Sequence, residues 1–227
     1  LFTVVPAFFI EEPRTLSASD DNAETDVTST SKTNLKAFLK ICFANAFSWL
    51  GVQTMFVFII AFITQKINVM PTGATPEIIE AIDAKTGQII SISFLILNAV
   101  GALLPAFVLE PIAEKIGRVK TQMFSVAIMS VGYFAIAFFG FSEYTLYVLM
   151  GVAGIGWAAI VSLPFAIMSE VVDKSKMGYY MGMFNLSIVI PQLLVSLAVG
   201  LIIVNSADKS IVFLISGGSL AISALLW

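Results

Sequence analysis

Long apolar stretches with very little charge dominate this sequence of 227 residues. Of all residues, 58% are apolar and only 12% are charged, whereas a soluble domain of ordinary composition carries about 25% charged residues. The chain therefore has about 130 apolar side chains, more than a soluble core needs. This surplus indicates that the chain lies in a lipid bilayer. At about 20 apolar residues per membrane crossing, the apolar residues are enough for about six helices.

The composition also excludes several kinds of chemistry. The sequence has no histidine, which removes imidazole catalysis, a Ser-His-Asp triad and histidine metal ligation. Its single cysteine, Cys42, cannot form an internal disulfide or a cysteine-rich zinc site. A net charge of −3 provides no basic surface for nucleic acid. The sequence therefore predicts a membrane protein without a metal, a cofactor, a nucleic-acid partner or an enzymatic activity.

An all-α membrane bundle over residues 36–227 is predicted from the apolar runs. Residues 1–10 are apolar without preceding basic residues, which indicates the end of an earlier span rather than a signal peptide. Residues 11–35 are rich in Ser, Thr and acids and are predicted to be a flexible cytoplasmic linker. Residues 64–87 are predicted to be a polar loop, with a surface helix at 76–82. The six predicted spans cover about 37–63, 88–109, 121–141, 144–168, 178–204 and 211–227, the last one truncated.

Basic residues in alternate loops predict the orientation. Nine lysines and arginines lie on one side of the predicted spans and three on the other. The larger set is Arg14, Lys32, Lys36, Lys40, Lys115, Arg118, Lys120, Lys174 and Lys176. The side with this set is predicted to be cytoplasmic, in a multi-pass protein of a bacterial inner membrane or a plasma membrane.

Neutral polar and indole side chains lie in the middle of the predicted spans, where charged residues are absent. Amides both donate and accept hydrogen bonds, and an aromatic face can cover the C–H side of a sugar ring. The alternative is that these groups bond neighbouring helices, where each contributes about 1 kcal/mol. The predicted substrate contacts are Asn45, Trp49, Gln53, Asn98, Trp157, Asn185 and Gln192.

Glycine and proline recur inside the fourth and fifth predicted spans. Small residues four apart let helix backbones approach closely, and a proline inside a span bends its helix. Both close packing and bending are open as roles for Gly154, Pro164, Gly178, Gly182 and Pro191.

Two spans resemble a known family. From Gly178 to Ser196 the sequence reads G-x-x-x-G-x-x-N-x-x-I-V-x-P-Q-x-x-x-S. This pattern resembles the eleventh helix of the sucrose/proton symporters, relatives of the glycoside-pentoside-hexuronide cation symporters within the major facilitator superfamily. The stretch W-A-A-I-V-S-L-P-F-A-I-M-S, residues 157–169, resembles the tenth helix of the same family.

The charged turn at residues 110–120 is similar to the loop motif of this superfamily, G-x-x-x-D-x-x-G-R-[KR]-[KR]. Here Glu110 replaces the first Gly, Glu114 replaces Asp, and Val119 occupies one basic position. The resemblance implies that the acid of this turn caps a helix and pairs with basic residues, which closes a cytoplasmic gate. An ordinary positively charged turn is the alternative. The implied gate residues are Glu114, Gly117, Arg118, Lys120, Glu170, Asp173 and Lys176.

The resemblance implies the C-terminal half of a twelve-helix transporter with a 3+3 inverted repeat. It also implies a monomer that carries a sugar, such as sucrose or maltose, together with protons by alternating access. The charged coupling residues would lie in the missing N-terminal half. Two alternatives remain: a superfamily member that transports another small molecule, and a membrane sensor or scaffold that transports nothing.

Overall fold

The computed structural model describes residues 33–227. In this part of the chain all the regular structure is helical, as the sequence predicts. The α-helices are α1 (Leu35–Lys66), α2 (Pro76–Leu104), α3 (Glu110–Ile116), α4 (Arg118–Phe139), α5 (Glu143–Val171), α6 (Met177–Leu194), α7 (Gly200–Asn205) and α8 (Ile211–Leu226). The predicted earlier span at residues 1–10, and the predicted linker up to residue 32, lie outside the described residues.

These helices form six rods that run alternately up and down. A π-helical turn, Pro105–Leu109, joins α2 to α3, and a second π-helical turn, Val195–Val199, joins α6 to α7. Five of the rods are long and apolar enough to cross a membrane, and α8 is a shorter apolar helix. The chain is therefore a multi-pass membrane protein.

Two segments differ from their predicted structure. The second rod begins at Pro76, with Thr75 at its N-cap, so residues 76–87 are its first turns rather than part of a loop. Proline at the first helical position is pre-organised for helix initiation. A prediction from hydropathy misses these helical turns because they are polar. The charged segment after residue 109 is likewise helical as α3, and it ends at Gly117, whose φ of 90° favours glycine.

The rods pack as two matching triplets. The first consists of α1, α2 with α3, and α4, and the second of α5, α6 with α7, and α8. Helix α2 packs on α5 as α6 packs on α1, and α4 packs on α5 as α8 packs on α1. Because equivalent rods are three positions apart in the up-and-down order, equivalent members run in opposite directions. The packing is therefore that of an inverted repeat.

Aromatic contacts tie α1, α4 and α8 together in the larger core cluster. The Phe213 ring lies 4.9 Å from that of Phe62 and 5.5 Å from that of Tyr133, measured between ring centroids, and both pairs meet edge to face. All three side chains are fully buried. In contrast, only 22% of the most apolar stretch of the second rod and 28% of that of the fifth rod are buried, against 44–50% in the other membrane-length rods. These two rods are thus the most weakly packed.

The two ends of the bundle are named here by the residues that hold them. At the Arg118 end, which the sequence predicts to be cytoplasmic, the Arg118 guanidinium pairs with the Glu170 carboxylate. Residues of the predicted linker are fixed at the same end, because the Asn34 N–H donates to the Val171 carbonyl at 2.9 Å. The other end, which contains Gln65, is the Gln65 end.

At the Gln65 end, α1 holds the loop between α7 and α8. The Gln65 amide donates to the Ala207 carbonyl and accepts from the Lys209 N–H, both at 2.7 Å. The next residue, Lys66, pairs with Asp208 at 2.9 Å. This set of contacts, the outer clasp, fixes the end of α7 to the end of α1.

The outer clasp is expected to stay closed at neutral and weakly acidic pH. The N–H of Ser210, and then the Lys66 ammonium, hold the pKa of the Asp208 carboxyl below its usual range. A carboxyl with a lowered pKa stabilises the fold above its unfolded pKa of about 3.9. The stabilisation is lost only as the pH falls through the still lower folded pKa.

Replacing Gln65 by alanine is expected to release the loop 206–210. Two hydrogen bonds of about 1 kcal/mol each are lost, so amide exchange in this loop should rise about tenfold or more. Hydrogen–deuterium exchange of the complete protein in nanodiscs measures this. The matched control is Thr64→Ala, because the Thr64 hydroxyl bonds only to carbonyls of its own helix. Equal exchange in both variants would show that the clasp does not hold the loop.

Candidate functional site

Four aromatic rings and one amide from three helices meet in the middle of the bundle. The Trp157 ring of α5 lies 6.1 Å from Trp49 and 5.2 Å from Phe56 of α1, measured between centroids. Phe56 lies 5.2 Å from Phe94 of α2, and the Trp157 indole N–H donates to Asn98 Oδ1 at 3.1 Å. All the rings meet edge to face. These five residues are called the aromatic site below.

Helical spacing explains how the aromatic site assembles. Trp49 and Phe56 are seven residues apart on α1, and Phe94 and Asn98 are four apart on α2, so each pair lies on one helix face. Trp157 is the central residue of α5. The site therefore lies about halfway between the two ends of α5.

The Trp157 indole is held on the surface of α2. A Cβ on Gly101 would lie 2.5 Å from indole Cδ1, so only glycine leaves room for the ring there. Asn98 is three residues earlier on the same face and accepts the indole N–H, while its amide nitrogen donates to the Phe94 carbonyl at 2.8 Å. Asn98 thus fixes the orientation of the indole.

The aromatic site is only partly covered and carries no charge. Its four rings are half-buried and Asn98 is exposed, so the site opens at the surface of the described bundle. Within residues 33–227 no three His, Cys, Asp or Glu side chains gather to hold a metal. The geometry suits a neutral ligand that stacks on rings and hydrogen-bonds to nearby amides.

Asn45, a predicted substrate contact, lies inside the contact between α1 and α6. It is fully buried, and its amide donates to the Ser187 hydroxyl at 2.9 Å. Its Oδ1 has no hydrogen-bond partner among the described residues. In this arrangement Asn45 bonds two helices, the alternative role that the sequence left open.

The remaining predicted contacts lie outside the aromatic site. Gln53 is half-buried on α1 between Trp49 and Phe56 in sequence, whereas Asn185 is exposed and Gln192 half-buried on α6. Of the seven predicted residues, the structure thus brings Trp49, Asn98 and Trp157 together. A substrate role for the others stays a prediction.

A separate apolar cavity of about 370 Å³ lies between α1 and α6. Its walls are almost entirely apolar, with Cys42 and Ser187 as the exceptions. The Ser187 hydroxyl already accepts from Asn45 and donates to the Phe184 carbonyl at 2.6 Å. The cavity therefore offers little to a hydroxyl-rich ligand.

Five of the seven predicted gate residues line a groove of about 590 Å³ at the Arg118 end: Glu114, Gly117, Arg118, Lys120 and Glu170. Arg118 pairs with Glu170 and thereby joins α4 to α5. Glu114, the acid that the resemblance assigned to the latch, lines the groove. It forms no ion pair within the described residues, and α4 has no side-chain cap. Lys120 also lines the groove.

Asp173 and Lys176 belong to the short turn before α6. The Asp173 carboxylate accepts from Ser175 Oγ at 2.8 Å and from the Ser175 N–H at 2.9 Å, which lowers the pKa of the Asp173 carboxyl. Lys176 is exposed and makes no ion pair in the described part of the chain. These two residues shape the turn, and the predicted charge network consists here of the Arg118–Glu170 pair.

The predicted glycines and prolines fall into distinct groups. Gly154 is a point of close packing, since a Cβ there would lie 2.6 Å from Val100 Cβ. At Gly178 and Gly182 an added Cβ would meet nothing within 4 Å, so packing inside the described bundle does not require them. Pro164 and Pro191 are both buried within their helices.

A family model described as Major Facilitator Superfamily matches residues 41–227. The chain belongs to the major facilitator superfamily. The match covers all the helices from the first turns of α1 onwards, including the aromatic site and the Arg118 end. No curated protein sequence gives a significant match.

The fold of this major facilitator chain is also similar to a solved structure, that of an auto-inhibited peptide transporter of the POT family. The TM-score is 0.65 at 20% sequence identity, and the likeness covers 84% of this chain. It covers 36% of the peptide transporter, so the chain spans about a third of that protein's length. At this identity the likeness concerns the fold.

Sequence reasoning missed three residues of this major facilitator site: Phe56, Phe94 and Gly101. The seven-residue spacing from Trp49 was a signal for Phe56, and Gly101 follows Asn98 by three residues. Nothing distinguishes Phe94 from the other phenylalanines, because its place depends on how α2 packs against α1.

Proposed function

We propose that this chain is part of a secondary active transporter for a neutral, hydroxyl-rich small molecule, most simply a sugar such as an α-glucoside. The observation that carries the proposal is the aromatic site at mid-membrane depth, with Trp49 and Trp157 edge to face at 6.1 Å. Ring faces of this kind cover the C–H side of a sugar, and amides bond its hydroxyls. Alternating access would expose the site to each side of the membrane in turn.

Charge favours a neutral substrate over a peptide or an organic ion. A peptide has two charged ends that need partners of opposite sign in a low-dielectric site. The described helices place no charged side chain in the aromatic site. Proton coupling then requires ionisable residues from a part of the protein other than these helices, and the proposed N-terminal half would supply them.

Uptake by the complete protein tests this function. Proteoliposomes are assayed for accumulation of labelled sucrose, maltose and a dipeptide, each with and without an inward proton gradient. Accumulation of a sugar that requires the gradient supports the proposal. Uptake of the dipeptide alone would identify a different substrate class. Sugar uptake at the same rate with and without the proton gradient would exclude proton coupling.

Replacing Asn185 by alanine is expected to weaken the apparent affinity for the sugar without lowering membrane insertion. Asn185 is exposed on α6 and its side chain makes no hydrogen bond within residues 33–227, so its amide can bond a hydroxyl. Losing one such bond costs about 1 kcal/mol, or about fivefold in affinity. Concentration-dependent uptake measures it, with Asn205→Ala as the control, since the Asn205 amide bonds only to the Leu201 carbonyl of its own helix. An unchanged affinity would show that Asn185 does not contact the sugar.

A further inference from the structure

The apolar cavity between α1 and α6 is elongated along both helices. Its wall on α1 extends from Phe38 to Leu50, and its wall on α6 extends from Met183 to Leu194. At 1.5 Å per residue these walls are about 18 Å and about 17 Å long. The long axis of the cavity therefore follows the helices across the membrane.

The cavity occupies only the half of the membrane at the Arg118 end. Leu50 lies at the midpoint of α1, and Leu194 lies three residues beyond the midpoint of the rod 177–205. Half of the hydrocarbon core of a bilayer is about 15 Å thick. The length of the cavity thus matches one leaflet.

The walls of the cavity are apolar and open to the surface of the described bundle. Phe43 on one wall is 63% exposed and Leu186 on the other is 52% exposed. Phe38, which also lines the cavity, is fully buried, and its ring packs edge to face on Tyr180 of α6 at 5.1 Å between centroids. An open apolar cavity of this kind suits an apolar chain that enters from the side.

A lysine continues each wall toward the Arg118 end. Lys36 precedes Phe43 by seven residues on α1, and Lys176 precedes Met183 by seven at the start of α6. A spacing of seven residues keeps each lysine in register with its wall of the cavity. Both lysines are exposed, and neither forms an ion pair within residues 33–227.

The charge at this mouth of the cavity is positive. Near it, Glu170 is paired with Arg118, and the Asp173 carboxylate bonds to Ser175. Four lysines at the same end of α1 and α6 outnumber Asp173: Lys36, Lys40, Lys174 and Lys176. Basic residues beside a gap between membrane helices attract anionic lipid headgroups.

We propose that the apolar cavity binds one phospholipid with an anionic headgroup, taken from the leaflet at the Arg118 end. One acyl chain lies between Phe43 and Leu186, and the headgroup phosphate accepts hydrogen bonds from Lys36 and Lys176. This site goes beyond the proposed transport function and does not depend on which molecule is carried.

A helix from another part of the protein is the other candidate occupant, and the cavity volume favours the lipid. A helix is 10–12 Å wide with its side chains, so a piece as long as the cavity occupies about 1,300 Å³ or more. The cavity volume is about 370 Å³. A helix could therefore lie over the cavity but not inside it, whereas a single acyl chain can enter.

Quenching of an added tryptophan by brominated lipids tests the site in the complete protein. Phe43→Trp places an indole on the cavity wall, and Phe124→Trp is the control, because Phe124 is 53% exposed on α4 in the same half of the membrane. Each variant is measured in phosphatidylcholine nanodiscs without substrate, and the parent signal is subtracted. Phosphatidylglycerol or phosphatidylcholine with bromine in the acyl chains is titrated in.

Brominated phosphatidylglycerol is expected to quench Phe43→Trp at a mole fraction about 5- to 30-fold lower than brominated phosphatidylcholine. This preference corresponds to one or two lysines near the headgroup. Phe124→Trp should be quenched equally by the two lipids. Leu186→Trp, on the opposite wall, repeats the measurement with an independent variant.

Lysine variants separate a specific site from general attraction. In the Phe43→Trp protein, Lys36→Gln and Lys176→Gln should each lower the preference about fivefold, and the double variant should remove it. Lys174→Gln is the matched control, because Lys174 lies in the same turn but precedes Met183 by nine residues, out of register with the wall. Ala46→Leu fills the cavity, so it should remove the preference with all lysines present.

Three results would overturn the proposal. Equal quenching of Phe43→Trp by both lipids would make the cavity an ordinary lipid-facing surface. Quenching of Phe124→Trp but not of Phe43→Trp or Leu186→Trp would show that another part of the protein covers the cavity. An effect of Lys174→Gln as large as that of Lys36→Gln would show attraction without a site. Because no substrate is present, a failure of the sugar proposal leaves these results unaffected.

Discussion

Replacing Trp157 by alanine in the complete protein is expected to remove most substrate uptake while the protein still inserts into the membrane. The change deletes the ring that joins Trp49, Phe56 and Asn98, so the substrate loses the central aromatic face of the site. Truncating a tryptophan at the centre of a binding site typically costs about 2 kcal/mol or more, which corresponds to a loss of about 30-fold or more in apparent affinity. Uptake in proteoliposomes, normalised to inserted protein, measures this.

Phenylalanine at the same position separates the ring from its N–H. Trp157→Phe keeps an aromatic face but loses the bond to Asn98, so it should retain more uptake than alanine and less than the parent protein. The matched control is Trp227→Phe, because Trp227 packs in the other core cluster, at the Arg118 end. If Trp157→Phe and Trp227→Phe reduce uptake equally, the aromatic site is not where the substrate binds.

Replacing Gly156 by alanine is expected to destabilise the bundle more than any other glycine-to-alanine change. The added Cβ would lie 2.3 Å from Met129 Cβ and 2.7 Å from the Ser125 carbonyl oxygen, so α5 must move away from α4. Neither neighbour is the end of a flexible side chain. Overpacking of this kind costs about 1–3 kcal/mol, and thermal unfolding of the purified complete protein in detergent reports it as a lowered Tm.

Gly182→Ala is the control for this change, because its Cβ would meet nothing within 4 Å. Removing a glycine from the middle of a helix stabilises it by about 0.5–1 kcal/mol, so the Tm should stay constant or rise. Equal Tm values for the Gly156 and Gly182 variants would contradict the close approach of α4 and α5. A lowered Tm for Gly182→Ala would instead place that glycine against a part of the protein outside residues 33–227.

The helical structure was predictable because lipid offers the backbone no hydrogen-bond partners. Every backbone polar group must therefore be bonded within the chain, and an apolar run of about 20 residues achieves this only as a helix. The limits of the rods were less predictable. Residues 76–87 and 110–116 are polar helical turns that extend beyond the apolar runs, and their composition resembles that of a loop.

Part of the candidate site was predictable as well, from residue types. Trp49, Asn98 and Trp157 stood out as polar or indole groups in the middle of apolar spans. Asn45 satisfied the same criterion, and the structure places it in a helix contact with Ser187. Residue type cannot separate these outcomes, because an amide inside a membrane needs a partner and accepts a ligand or another helix equally well.

By itself, the sequence determined that the chain crosses a membrane in helices, that histidine chemistry is absent, and that the mid-span polar groups are neutral. These properties follow from composition and from spacing along one chain. Only the tertiary structure decided that Trp157 lies on Gly101 beside Trp49 and Phe56, and that Asn45 is bonded to Ser187 of another helix. Contacts between residues more than fifty positions apart depend on which helix faces pack, and small residues such as Gly101 set that packing through the space they leave.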